Sequence, residues 1–211
     1  MMDALTYHEL TKHSPESVRR AGGLDFSNRP RLFKKYVGLG STAIPAALAD
    51  VVHLSGGITK RLRGMPFRAN ACTGALYHIE IYVVSGELDG LAAGVYHVDI
   101  EADALVPLRS GDFRATLAVA AGHPESLRHA PVALAFTTTY WRNAWKYRAR
   151  MYRHAFWDLG TMLANTLAVA GAEGAEPEVL TAFADDHLNG LLGVDPAREA
   201  ALAIVPLGRT A

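Results

Sequence analysis

The residues best suited to chemistry crowd into Tyr140–Gly160, where Lys146 and Tyr147 stand side by side in a run of aromatic and basic side chains. A lysine amine becomes a general base when desolvation or neighbouring cations lower its pKa, and Arg142 and Arg150 are the neighbours expected on a helix. A tyrosine hydroxyl beside it orients a substrate or shares the proton. At about 100° per residue, Trp141, Trp145, Tyr152 and Phe156 fall on one stripe, and Arg142, Lys146, Arg150 and Arg153 on the next. Adjacent helical side chains point about 100° apart, so one site served by Lys146 and Tyr147 needs an irregular turn or a helix that begins after Tyr147. The plainer alternative makes the tryptophans core and the basic stripe a solvated face.

A second basic group lies in the arm Gly22 to Thr42, rich in glycine and proline, around Asn28-Arg29-Pro30-Arg31-Leu32-Phe33-Lys34-Lys35-Tyr36. Guanidinium forks match phosphate oxygens two-pronged, which makes Arg29 and Arg31 candidates for an anion; a solvated linker has the same composition. A third group is the small-residue turn Ala71-Cys72-Thr73-Gly74, which leads into an alternating, β-branched strand ending at Val84. His78-x-Glu80 has the first half of a zinc-deaminase signature, but no Pro-Cys-x-x-Cys follows, so no metal site is expected.

The elements that position these groups read in order. Helices are expected at Leu5–Lys12, ended by Ser14-Pro15, and at Ile44–Leu54, with Pro45 in its first turn. Lys60–Phe67 reads as a mobile loop with three basic residues. Strands follow at Gly94–Asp99, Ala104–Leu108 and Pro131–Thr139, with helical pieces at Phe113–Ala121 and Glu125–His129. Leu159–Ala170 is apolar nearly all round and reads as a buried helix. A short strand at Glu178–Phe183, a helix from Asp185 to Gly193 and a last strand at Glu199–Gly208 close the chain. We divide it into an arm, residues 1–42, and a core, residues 43–211.

Composition limits the partners. The 211 residues suffice for one domain with a sizeable core, and half of them are hydrophobic. Lys plus Arg and Asp plus Glu both number 21, so no global charge draws the chain to nucleic acid or an anionic membrane. Aromatic residues interleaved with arginine can stack bases, which keeps nucleic-acid contact as the lowest-ranked alternative. No window is apolar enough to span a bilayer, and the single Cys72 excludes an internal disulfide; with no signal peptide, a cytoplasmic location is expected.

Taken together and in order, these segments resemble the FMN-dependent azoline dehydrogenases of thiazole- and oxazole-modified peptide biosynthesis, a branch of the nitroreductase-like superfamily. The marks are Lys146-Tyr147 followed by Tyr152-Arg153-x-Ala155-x-x-Asp158-x-Gly160, Ser55-x-Gly57-x-Thr59, and the ending Asp185-Asp186-x-x-Asn189-x-Leu191-Leu192-Gly193 with its Pro-Leu-Gly strand. The strongest is the turn. Relatives show Arg, two residues, Pro-Ser-Ala-Gly-Ala-Leu-Tyr-Pro, then Glu and Tyr; this chain keeps Arg68, Gly74, Ala75, Leu76, Tyr77, Glu80 and Tyr82. It departs at Ala71, Cys72, Thr73 and His78, and loss of the prolines is expected to loosen the turn.

The resemblance implies an α+β, three-layer, nitroreductase-like fold, with a mixed central sheet packed by helices and one long buried helix. It implies bound FMN, with Arg29, Pro30 and Arg31 at the phosphate and Arg68, Cys72, Thr73, Gly74, Asn165 and Arg209 completing the cofactor site. Lys146 and Tyr147 become the catalytic pair of a dehydrogenase that removes a proton and sends hydride to flavin N5, acting on a ring or Cα–Cβ bond of a small or peptide-derived substrate. An NAD(P)H-dependent FMN reductase and a non-catalytic, flavin-binding partner in a peptide-modifying complex are the alternatives. Two copies of the fold, as a homodimer or with a paralogue, are expected to enclose the flavin, although the chain stops at Ala211 without the arm that such chains commonly send to a partner.

Overall fold

The computed structural model describes residues 3–19 and 22–208. The chain opens with α1 (Ala4–Thr11), whose N-cap Asp3 accepts from the Thr6 amide at 2.7 Å, and α2 (Pro15–Arg19). Proline at the first position thus begins a second short helix where a stop was expected. An irregular arm carries one 3₁₀ turn, Phe26–Asn28, before the two-residue β1 (Thr42–Ala43) and α3 (Ala46–Gly56). Pro45 is the N-cap of α3, one position outside the helix. Next come β2 (Ile58–Leu62) and β3 (Met65–Arg68), a two-stranded hairpin. Its turn, Arg63-Gly64, has positive φ at both residues, 50° and 80°, the geometry whose twist suits a tight hairpin. The segment expected as a mobile loop is therefore a paired ribbon.

The main sheet contains β1, β4 (Ile79–Ser85), β5 (Gly94–Asp99), β6 (Ala104–Ser110), β7 (Val132–Thr139) and β8 (Glu199–Leu207), in the order β1-β6-β5-β4-β7-β8. All its ladders are antiparallel, where a mixture of directions was expected. The cause is visible between β7 and β8. The chain leaves β7 through α6 (Tyr140–Tyr147), runs down α7 (Met151–Ala172), returns through α8 (Asp185–Leu192), and re-enters beside its point of exit. The Tyr140 amide donates to the Arg198 carbonyl at 3.0 Å, tying those two points together. A connection that returns to its starting end makes the next strand antiparallel.

Alternation along the strands builds three layers. Ile79, Ile81 and Val83 of β4 and Leu134 and Phe136 of β7 face the core formed with α3 and α7. Tyr82, Val84, Ala133 and Ala135 face the other, with Leu117 of α4 (Arg114–Ala120), Leu127 of α5 (Glu125–His129) and Leu188 and Leu192 of α8. The stretch Glu178–Phe183, expected as a strand, is reduced to a bridge between Leu180 and Ile204. The long helix α7 is buried on one face only: Leu159, Met162, Thr166 and Ala170 point inward while Gly160, Ala164 and Ala168 are exposed.

Candidate active site

The helix expected through Tyr140–Gly160 is broken. α6 ends at Tyr147, Arg148 takes φ 50° and ψ −138°, and a 3₁₀ turn, Arg148–Arg150, precedes α7. This supplies the irregular turn that a joint Lys146–Tyr147 site requires. The break is held by the chain's beginning: Tyr7 Oη donates to the Ala149 carbonyl at 2.8 Å, and Arg150 and Arg153 both bond Thr11. Lys146 is exposed, with Nζ 5.3 Å from the centre of the Tyr147 ring. Both line a cavity of about 660 Å³ walled by Trp145, His13, Val18 and Leu24. Arg142 and Arg150 do not stand beside Lys146. Arg142 turns inward to the Tyr77 carbonyl and Glu80, and Arg150 turns to α1 and the Trp157 ring.

Tyr147 reaches the small-residue turn. Its ring meets His154 edge-on at 4.4 Å, and its hydroxyl lies over Gly74, where an added Cβ would fall 2.6 Å from that oxygen. Gly74 has φ 67°, and the side-chain-bearing Ala75 and Tyr77 also take positive φ, 51° and 48°. Such conformations cost on the order of 1–3 kcal/mol each and persist where surrounding contacts over-determine them. Those contacts are Asp158 and its partners. The Asp158 carboxylate accepts from the Thr73 amide at 2.9 Å, the Thr73 hydroxyl at 2.6 Å, the Cys72 thiol at 3.1 Å and His78 Nε2 at 2.9 Å. His78 Nδ1 lies 2.8 Å from Thr138 Oγ1, so the turn is pinned where loss of proline was expected to loosen it.

Burial alone would raise the Asp158 pKa, yet the bonds from His78, Thr73 and Cys72 hold it below the ordinary carboxylate value. Burial and the neighbouring carboxylate push the Cys72 thiol up to about 12, so it stays protonated and unreactive. Cys72, His78 and Asp158 also place one ligand atom each within 4.8 Å of one another. The same atoms are joined by hydrogen bonds, Cys72 and His78 both to Asp158.

The other candidates are dispersed. Arg68 lies behind the turn, buried, its guanidinium on the Gly56 and Ile79 carbonyls and over the Tyr77 ring, with one terminal nitrogen unpartnered. Burial lowers its pKa to about 10. Asn165 is committed to α3, donating to the Leu54 carbonyl at 3.0 Å. Arg209 lies outside the described residues. Arg29 is exposed, while Pro30 and Arg31 line a cleft of about 470 Å³ with Trp141, Arg142, Arg198 and Glu199.

The arm beneath that cleft is fastened, unlike a solvated linker: Trp145 Nε1 donates to the Asp25 carbonyl at 3.0 Å, and Lys35 pairs with Asp99 at 2.7 Å. Between them Lys34 donates to Glu199 at 2.7 Å and to Tyr82 Oη at 2.6 Å, and Tyr82 and Thr137 donate to the other Glu199 oxygen. Burial opposes the Lys34 charge, but Glu199 raises its pKa. Adjacent threonines of β7 thus serve two polar clusters, Thr137 on the α8 face and Thr138 on the α7 face. Sequence reading quoted Asp158 and His78 within motifs but missed them and Glu199 as organisers, because the partners they hold lie on other elements.

The donor set suits FMN in part. Exposed Arg31 and Arg198 fit a phosphate, and the exposed Ala71 and Gly74 offer a flat, small-residue surface beside Tyr147. The Thr73 amide, in the turn expected to hold the cofactor, is taken by Asp158.

Comparison with known proteins shows the family and the fold. The sequence profile of the Nitroreductase family matches residues 69–209. A protein of Methanocaldococcus jannaschii named as a nitroreductase is 27% identical over 168 residues, 78% of this chain and 82% of its own. The trifolitoxin-processing protein TfxB of Rhizobium leguminosarum is 32% identical over 62% of this chain, and the microcin B17-processing protein McbC of Escherichia coli 28% over the same share. The chain spans only 36% of TfxB and 50% of McbC. Among solved structures, a chain from Anabaena variabilis named as a nitroreductase superposes with a TM-score of 0.88 at 29% identity, covering 96% of this chain and 45% of its own. The Escherichia coli microcin synthetase McbBCD, with truncated pro-microcin bound, shares the fold with a TM-score of 0.68 at 20% identity, covering 100% of this chain and 84% of that one.

Proposed function

The chain belongs to the nitroreductase family, and from that premise we propose that it is an FMN-dependent dehydrogenase of a peptide-derived substrate. The observation that carries the reading is the Tyr147 hydroxyl over Gly74, which joins the Lys146–Tyr147 pair to the small-residue turn. The relatives named as processing proteins of trifolitoxin and microcin B17 favour a peptide-derived, azoline-like substrate. Arg31 and Arg198 would hold the phosphate, and Ala71 to Gly74 would support the ring. Bound FMN supplies the hydride acceptor at its N5. Lys146, at the mouth of the 660 Å³ cavity, takes the substrate proton, and Tyr147 orients the substrate. Trp145, Val18 and Leu24 give the cavity apolar walls against which a heterocycle can lie.

A second copy of the fold completes this site. The Arg31 cleft opens beside the end of α8, while the turn sits on α7, across the sheet. Two copies let the arm of one approach the turn of the other. The face for that contact is α7 itself: Tyr152, Phe156 and Trp157 are about half exposed (49%, 48% and 53%), next to the exposed Gly160, Ala164 and Ala168.

The test is substitution of the pair. Lys146→Met and Tyr147→Phe are expected to retain flavin and lose turnover by ~10²–10⁴, the usual contribution of a positioned acid or base. Full activity in Lys146→Met would return the lysine to the solvated face. Rapid reduction of bound flavin by NAD(P)H, with no turnover of peptide heterocycles, would move the protein to the reductases.

A further inference from the structure

The reading above leaves Asp158 without a part, although it touches more of the turn than any candidate residue does. It lies on α7 with His154 and Thr161, at spacings of four and three residues, so the three share a face one turn apart. His154 meets the Tyr147 ring, Asp158 takes the Cys72, Thr73 and His78 donors, and Thr161 Oγ1 donates to the Ala71 carbonyl at 2.7 Å. Three of the four positions at which the chain departs from the motif it resembles, Cys72, Thr73 and His78, therefore end on one carboxylate. The departures form a matched set.

We propose that Asp158 is the positioning residue of the turn: by gripping Thr73, Cys72 and His78 from α7 it sets the placement of Gly74 under the Tyr147 hydroxyl. Rigidity that a proline would supply through its fixed φ is supplied here by a hub of hydrogen bonds. Asp158 accepts from the Thr73 amide and hydroxyl and from the Cys72 thiol, and the His78 ring bridges it to the Thr138 hydroxyl, Nε2 on Asp158 and Nδ1 on Thr138. His154 holds the other partner of the contact, its Nδ1 2.9 Å from Asn143 Oδ1 and its ring against Tyr147. The first three turns of α7 thus fix both sides of the Gly74–Tyr147 contact. Asp158 does not touch the reacting atoms. The catalytic consequence rests on the reading of that contact as the active site; the positioning itself does not.

Hydrogen exchange on the flavin-free protein tests it, with a fluorinated tyrosine at position 147 as a second probe. Asp158→Asn is expected to speed exchange at the Thr73 and Tyr77 amides at least tenfold, and to shift the Tyr147 fluorine resonance, while core amides of β4 and β7 stay unchanged. Thr73→Val, which removes one hydroxyl bond, is expected to give the same change at smaller amplitude, and serves if Asp158→Asn does not fold. Unchanged turn exchange in both variants, or an unmoved Tyr147 resonance, overturns the proposal. So does stoichiometric zinc in the native protein that is lost in Cys72→Ser, since the carboxylate would then be a ligand. Failure to bind flavin with these changes intact would count against the enzyme reading alone.

Discussion

Glu80 shows how the charge of this site is held. It is buried between Arg142 Nη1, at 2.6 Å, and His97 Nε2, at 3.0 Å, with Arg68 near. The Arg142 contact is an ion pair whose angle falls outside hydrogen-bond geometry, which leaves Glu80 Oε1 without a directed donor. Burial would raise the carboxyl, but Arg142, His97 and Arg68 outweigh it and bring its pKa from 4.5 to about 2. A depressed folded pKa means stability that is complete above the unfolded value and lost as pH falls through the folded one. We expect the unfolding free energy from urea titrations to hold between pH 7 and 5 and to fall between about pH 4.5 and 2, by on the order of 3 kcal/mol from Glu80. Asp158 and Asp99, also lowered, add in the same direction. Glu80→Gln should be less stable at neutral pH and show a flatter acid limb; an unchanged limb would contradict the assignment. Glu80 and Tyr82 were legible as members of a motif, but their partners on other elements were not, since nothing in local spacing announces Arg142 or Glu199.

At the scale of elements, what was legible followed from periodicity, and what was not followed from backbone conformation. The strand β4 could be read from its alternation, and β7 and α7 from their apolar runs. The break at Arg148 could not, because an arginine gives no sign that its φ will be positive; only the chemical need for Lys146 and Tyr147 to share a site pointed there. The hairpin of β2 and β3 was hidden in the same way by its charged residues, though Gly64 marked its turn. The contact between the turn and α6 gives a prediction of its own. Gly74→Ala places a Cβ 2.6 Å from the Tyr147 hydroxyl but 3.3 Å from its ring carbons. In the Tyr147→Phe background only the strain of the φ of 67° and a tight ring contact remain. A double-mutant cycle in denaturant should therefore show Gly74→Ala costing about 1 kcal/mol less in that background than with the tyrosine in place. Equal costs would mean that the hydroxyl does not rest on the turn.

For the whole molecule, the family and its three layers were open to reading because the motif order spans the chain, whereas the coverage of α7 was not. A run apolar nearly all round reads as buried, and in one chain it is half covered. No helix of the described residues is long and apolar enough to cross a membrane. A second copy on the exposed face of α7 predicts that Trp157→Glu converts a two-copy species, seen by light scattering, to a single chain of 22.7 kDa; an unchanged mass would place the contact elsewhere. The enzyme reading rests on one requirement, that FMN binds. Titration of the dialysed protein with FMN, followed by flavin fluorescence, measures it most directly. The account predicts saturable, stoichiometric binding that Arg31→Ala weakens at least tenfold, and release of FMN, unmodified, when the protein is denatured. No flavin in the supernatant and no binding on its addition would contradict it.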